Sequence, residues 1–185
     1  MKTKELKGIN YDLGCGSNKQ KGFIGVDIIK KGTQANIEWD LFHKFPWEFA
    51  KDNSVNSVFA SHVVEHIPHG DGYYDPFYQF MDECYRILKP GGTATFITPY
   101  YTSMRAFQDP THLRFIGEAS YLYVSKKWRE DNKLAHYPIK CDFEVMNMNH
   151  AVSEEFTGRA QEAIQYAASH NWNVVNDLIV VLKKI

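Results

Sequence analysis

The residues best suited to chemistry stand where short apolar runs end. "YDLGCGSNKQKGFIGVDI", residues 11–28, leaves its first run through Asp12, Gly14, Cys15 and Gly16 and closes its second with Asp27 and Ile28. A third run, "ANIEWDL", ends on Asp40 and Leu41. Glycine at such a place lets backbone approach a ligand and take up positive φ without a Cβ clash. A carboxylate at the position of Asp27 can accept hydrogen bonds from both hydroxyls of a ribose. Asp40 is placed to accept from an exocyclic amine while Leu41 covers an aromatic ring. Each feature also has a plain alternative, a tight turn for the glycines and a turn or helix cap for the acids. Their order at three successive strand ends points instead to a nucleoside-bearing ligand.

Two ligands of that kind compete. A dinucleotide fingerprint requires a third glycine for helix packing, and Lys19 occupies that position. Asp12 would also set a negative charge beside a pyrophosphate, which Coulomb repulsion disfavours. A ligand with a ribose, an adenine and a positively charged tail fits better, because Asp12 can then help to hold an ammonium directly or through water. S-adenosylmethionine has those parts.

The elements that must position these residues can be read from the apolar pattern. "GINYDLG", "FIGVDII", "ANIEWDL", "VNSVFAS", "TATFIT", "FEVMNMNHAV" and "VNDLIVVLK" are strand-length, rich in Val, Ile, Phe and Thr, and bounded by Gly, Asn, Asp or Pro. Between the fourth and fifth, "YYDPFYQFMDECYRILKPGG" predicts a helix. Asp75 caps it, Pro76 suits its first position, and Phe77, Phe80, Met81, Cys84 and Leu88 form its apolar stripe. Lys89-Pro90-Gly91-Gly92 stops it. A second helical pattern begins near Gly117 and runs through "EASYLYVSKKW"; a third, "SEEFTGRAQEAIQYAASH", precedes the last strand. Near-continuous apolar strands with helices between them predict an α/β protein with a doubly wound, mostly parallel sheet. Ligands on such sheets lie outside the carboxyl ends of the strands, where the strand order reverses.

Bulk properties narrow the class. A chain of 185 residues suits one domain, 1–185. The net charge is −1 and the basic residues are scattered, so electrostatic capture of polymeric nucleic acid is not expected. Cys15, Cys84 and Cys141 share no metal-like spacing and suit a reducing compartment. "MKTKELKGIN" lacks the apolar core of a leader, and no apolar run is long enough to span a bilayer. A cytoplasmic protein without a membrane partner is expected.

"DLGCG", the acid ending the next strand, "DL" after the third, "SVFASHVVEHIP" around the fourth and "ECYRILKPGG" before the fifth resemble class I S-adenosylmethionine-dependent methyltransferases over roughly residues 9 to 100. The later "QDPTHLRF" looks like a block found in small bacterial and phage methyltransferase-like proteins. The resemblance implies a Rossmann-like sheet of seven strands, the last antiparallel. The last two strands, about 141–151 and 174–184, should lie at one edge. It implies S-adenosyl-L-methionine as cofactor, held by Asp12, Gly14, Cys15, Gly16, Asp27, Ile28, Asp40, Leu41, Ser61 and His62. One departure stands out. Ten residues separate Gly16 from Asp27, so the first helix must be only a turn or so.

"HVVEH", His62 to His66, matches an inverted zinc-protease pattern, but a strand runs directly into His62 and Pro68 interrupts any helix. No metal is therefore expected there. Ser61 and His62 emerge where the transferable methyl should lie. "TPYYTSMRAFQDPTHLRF" is too polar and aromatic for a core, and Tyr100, Tyr101, Asp109, His112 and Arg114 are candidates to line an acceptor pocket within an insertion at about 99–138. His112, His62 and Asp109 are the catalytic candidates, either histidine serving as base for a hydroxyl. The alternative is a turn at Asp109-Pro110 with His112 as a structural cap. The motifs of amino-methylating and cytosine C5 DNA enzymes are absent, leaving a small-molecule, nucleotide or sugar-containing acceptor, recognised by this chain or by a partner subunit in a homo-oligomer. A non-catalytic S-adenosylmethionine-binding or protein-interaction module is the other reading.

Overall fold

The computed structural model describes residues 8–70 and 74–185. Residues 1–7 and 71–73, which include most of the N-terminal stretch "MKTKELKGIN" and the start of the first helical pattern, lie outside the described residues.

Seven strands form one sheet. They are β1 (Ile9–Leu13), β2 (Ile24–Asp27), β3 (Ile37–Glu38), β4 (Val55–Ser61), β5 (Leu88–Pro99), β6 (Phe143–Val152) and β7 (Val175–Lys184). Their order is β3-β2-β1-β4-β5-β7-β6. Strands β1 to β5 pair in parallel, whereas β7 runs antiparallel to both β5 and β6. The expected antiparallel last strand and the edge position of the last two strands are both observed. The chain works outward from β1 to β3, then returns to β4 on the other side of β1, so the order reverses between β1 and β4. That reversal opens a crevice at the carboxyl ends of these two strands.

Helix α1 (Pro76–Ile87) forms as its sequence dictates. The Asp75 side chain accepts from Phe77 N–H at 2.8 Å, and Phe77, Phe80, Met81, Cys84 and Ile87 are buried. Leu88 is already the first residue of β5, so the helix ends one residue before the expected stop. Alternate side chains of the central strands, among them Leu13, Val58, Ala60, Ala94, Phe96, Leu178 and Val180, are buried in the same apolar core. The second helical pattern is two helices, α2 (Glu118–Leu122) and α3 (Lys126–Asp131), because Ser125 breaks it and caps α3 by accepting from Trp128 N–H. Tyr121 of α2 stacks on Phe96 at 5.7 Å, while Phe80 of α1 meets the same ring at 6.3 Å. Helix α4 (Gln161–His170) starts after Gly158, whose φ of 82° ends the pattern's earlier part.

The turn-length helix expected between β1 and β2 does not form. Gly14, Gly16 and Gly22 take φ of 66°, 48° and 84°, values no α-helix accommodates, and the link is a series of turns. The link from β3 to β4 also lacks a helix and packs through aromatic rings. Trp47 is fully buried, stacked on Phe49 at 5.7 Å and edge-on to Phe80 at 5.3 Å. Phe45 and Trp39 extend the cluster. Among the described residues no helix is long and apolar enough to cross a membrane.

Candidate functional site

The loop after β1 is folded back over the end of β2. Gly14 N–H and Cys15 N–H both donate to the Val26 carbonyl, at 2.7 and 3.3 Å. Gly16 N–H donates to Asp27 Oδ2 at 2.9 Å. Asp12 is 2% exposed and accepts from Gln20 N–H at 2.6 Å. Burial raises its carboxyl above the usual range, although the Gln20 N–H and Lys19 oppose this. The Cys15 thiol is buried against the bare Cα of Gly25, where a Cβ would come within 2.6 Å of its Sγ. Burial, then Asp12 and Asp27, push that thiol up to about 11, so it packs rather than reacts.

A cavity of about 230 Å³ lies in the crevice. Gly14 beyond β1, Asp27 at the end of β2 with Ile28 after it, Asp40 and Leu41 beyond β3, and His62 beyond β4 all line it. Trp39, Phe42, Val63 and His66 complete the wall. Asp12 in β1, Cys15 and Gly16 in the loop after it, and Ser61 at the end of β4 are not in the lining. Gly14 makes the cavity fit its wall, since a Cβ there would lie 2.4 Å from Val63 Cγ2. Asp40 has a second task. Its Oδ1 accepts from Phe42 N–H and His43 N–H at 3.0 and 3.1 Å, closing the turn after β3. Burial works against its ionisation, but these bonds and His43 win and hold the carboxyl below its usual range.

His62 occupies a strained position. Its φ is 56°, unusual for a residue with a side chain, and its backbone N–H still reaches the Ile97 carbonyl at 2.8 Å. Nδ1 lies 3.2 Å from Glu65 Oε1, and Nε2 lies 3.9 Å from Asp177 Oδ1. The Glu65 hydrogen bond raises the imidazole above its ordinary value despite burial, helped by the charges of Glu65 and Asp177 and opposed by Arg105. Arg105 holds Asp177 Oδ2 at 2.8 Å. Glu65 and Asp177 were not foreseen as partners of His62. Glu65 had a signal in "HVVEH", but Asp177 sits in an ordinary strand sequence and had none.

The block after β5 docks on the segment after β4. Leu113 N–H and Arg114 N–H donate to the Glu65 carbonyl, and the Arg114 guanidinium reaches the Ile67 and Pro68 carbonyls and Asp75. Asp109 accepts from the Thr111 N–H and hydroxyl, which lowers its carboxyl from the ordinary value. His112 is turned inward, its side chain 7% exposed, with Nδ1 3.1 Å from the Ala106 carbonyl and its ring 4.7 Å from that of His66. Of the three catalytic candidates, His62 alone lines the cavity. Tyr100 bonds to Glu118, which also meets His150, while Tyr101 remains exposed. A larger cleft of about 460 Å³, between α1 and residues 113–123, shares no lining residue with this cavity.

The cavity suits S-adenosylmethionine by the chemistry of its wall. Two carboxylates offer acceptors for hydroxyls and an amine, Ile28, Leu41 and Phe42 offer apolar contact for a ring, and Gly14 offers bare backbone. The family comparison agrees: residues 11–96 match the methyltransferase domain family. No curated protein sequence matches the chain. Among solved structures, an S-adenosylmethionine-dependent methyltransferase from Archaeoglobus fulgidus is similar at 18% identity and TM-score 0.61, covering 97% of this chain and 87% of that one. A Haloferax volcanii protein described as a methyltransferase in complex with the activator Trm112 is similar at 17% identity and TM-score 0.59, covering 97% and 84%. An S-adenosylmethionine-dependent methyltransferase from Mesorhizobium loti follows at 15% identity and TM-score 0.55, covering 98% and 94%. At such identities these likenesses establish the fold, and the domain match covers the part of it from β1 into β5. Residues 11–96 carry a methyltransferase domain on a fold shared with S-adenosylmethionine-dependent methyltransferases, and S-adenosylmethionine is the cofactor that the domain and the fold together support.

Proposed function

We propose that the methyl acceptor is a small molecule, a nucleotide or a sugar-containing compound, methylated beside His62. The observation that carries the reading is the convergence of Gly14, Asp27, Asp40 and His62 from four strand ends on one cavity. In this reading Asp27, already tied to Gly16 through Oδ2, accepts from the ribose hydroxyls, and Asp40 accepts from the adenine amine between Ile28 and Leu41. Gly14, Cys15 and Gly16 offer backbone to the methionine end, and Asp12 holds the loop from behind through Gln20. Ser61 and His62 then flank the methyl.

Transfer from a sulfonium is an in-line displacement, in which holding acceptor and donor in line can supply several kcal/mol (about 7 or more in favourable cases). His62, oriented by Glu65, takes the proton of a hydroxyl acceptor as the oxygen attacks. His112 and Asp109 serve by shaping the loop. Residues 99–138 supply the acceptor wall, and a second copy of the chain is the alternative source of it. A net charge of −1 favours acceptors other than polymeric nucleic acid. Three free, buried thiols accord with a cytoplasmic setting.

Labelled S-adenosylmethionine incubated with a metabolite, nucleotide and sugar extract tests this. A product heavier by one methyl in the small-molecule fraction, formed by wild type and reduced at least tenfold in His62→Ala with cofactor binding kept, is the expected result. Label transferred only to polymeric RNA, DNA or protein overturns the acceptor assignment.

A further inference from the structure

Two stretches singled out in the sequence, "HVVEH" and "QDPTHLRF", meet at a point the methyl-transfer reading does not use. Glu65, His66 and His112 each bring one ligand atom within 4.8 Å of the other two. Their surroundings are those of metal ligands. His66 Nδ1 faces the Thr111 carbonyl at 3.2 Å, and His112 Nδ1 faces the Ala106 carbonyl at 3.1 Å. With its proton on Nδ1 each ring donates to that carbonyl, His66 Nδ1 also lying 3.1 Å from Thr111 Oγ1, and presents Nε2 as a lone-pair donor. This outer hydrogen bond is the arrangement found behind nearly all metal-bound histidines.

Glu65 supplies an independent observation. Its side chain is 1% exposed, and Oε2 is buried with no hydrogen-bond partner among the described residues. A buried carboxylate oxygen without a donor costs several kcal/mol, on the order of 1–3 or more for a charged group, unless a cation or a proton meets it. Oε1 is already engaged by His62 at 3.2 Å, so the need is at Oε2 alone.

We propose that Glu65, His66 and His112 form a binding site for a divalent transition-metal cation of the Zn²⁺ type. Two imidazoles and one carboxylate select such an ion over Mg²⁺ or Ca²⁺, which prefer all-oxygen shells. Zn²⁺ takes imidazole nitrogen and carboxylate oxygen at about 2.0–2.2 Å, so the ligand atoms close by roughly 1 Å when it binds. Three protein ligands leave a position open for water or an acceptor oxygen, and His66 carries the site to the wall of the cofactor cavity. This trio differs from the inverted zinc-protease pattern. There both histidines of one helix hold the metal and the glutamate is a base; here His62 instead bonds to Glu65 from outside, and His112 arrives from the loop after β5.

Calorimetric titration of untagged, chelator-treated full-length protein with zinc chloride tests the proposal without reference to methyl transfer. One equivalent of Zn²⁺ is expected to bind to wild type, and magnesium chloride to give no heat of binding. His66→Ala and Glu65→Gln should each weaken Zn²⁺ by about 100-fold or more, since even outer-shell changes cost 10–100-fold. His112→Ala should do the same, and His66→Ala, whose ring is less deeply buried, keeps the test valid if His112→Ala fails to fold. Absence of Zn²⁺ binding to wild type overturns the proposal. Undiminished binding in both His66→Ala and Glu65→Gln overturns it equally, by placing the metal elsewhere.

Discussion

Asp27 closes the glycine loop onto the end of its own strand by accepting the Gly16 N–H on Oδ2 at 2.9 Å. The carboxylate that lines the crevice cavity therefore also fixes the backbone of the glycine loop. Asp27→Asn keeps the shape but removes the charge from both jobs. Loss of charge-assisted hydrogen bonds worth roughly 1.5–3 kcal/mol predicts a 10- to 150-fold weaker affinity for S-adenosylmethionine. Calorimetry of both proteins reads this directly, and equal affinities would place the ribose elsewhere.

Gly14 and Gly16 both have positive φ, but only Gly14 faces an obstacle. A Cβ at Gly14 meets Val63 Cγ2 at 2.4 Å, whereas one at Gly16 meets nothing within 4 Å. Gly16→Ala should cost about 1 kcal/mol, from backbone conformation alone. Gly14→Ala should cost about 1–3 kcal/mol more, from the added clash with a stiff β-branched side chain. Urea denaturation gives both values, and Gly14→Ala combined with Val63→Ala should recover part of the difference.

Asp40 makes part of the stability depend on pH. Its folded carboxyl is lowered from 3.8, so the unfolded state binds more protons than the folded state in the acid range. Its contribution is therefore fully present above the unfolded value and is lost as pH falls through the folded one. Asp40→Asn should be less stable than wild type by roughly 1 kcal/mol at pH 7, with the gap narrowing below about pH 4. Thermal unfolding of the two proteins between pH 7 and pH 3 checks the convergence; a constant gap would assign the effect to packing.

Arg114 fastens the block after β5 to the segment after β4. Its guanidinium serves the Ile67 carbonyl at 2.8 Å, the Pro68 carbonyl at 2.5 Å and Asp75 at 2.7 Å. Arg114→Met takes this donor from the Ile67 and Pro68 carbonyls and the charge partner from Asp75, which keeps the Phe77 N–H, and should destabilise by about 2–4 kcal/mol. Arg114→Lys should recover less than half, because a point charge cannot match the planar fork. Denaturation midpoints at equal m-value decide between the two outcomes.

The strands were legible because Val, Ile and Phe runs ended on Gly, Asn and Asp at the places where the chain turns. Helix α1 was equally plain, since Asp75 and Pro76 mark its start in any context. The missing first helix was only half legible: the ten-residue spacing showed that little room existed, but the glycine φ values that exclude a helix are set by the fold. The cavity residues Gly14, Asp27, Asp40 and His62 could be named from their positions after strands. Asp177 could not, because what brings it within 3.9 Å of His62 is the antiparallel pairing of β7 with β5, a contact between residues far apart in sequence. The inward turn of His112 follows from docking through Arg114, which no local pattern in "QDPTHLRF" announces.

The order β5-β7-β6 also imposes a schedule on synthesis. When the ribosome has made β6, the strand that must separate it from β5 does not yet exist. The carboxyl-end crevice between β1 and β4 can form early, but β5 keeps an open edge, and Asp177 and its grip on Arg105 are missing. Register errors at that edge, such as premature pairing of β6 with β5, are the misfolding route to which a nascent chain of this topology is most exposed.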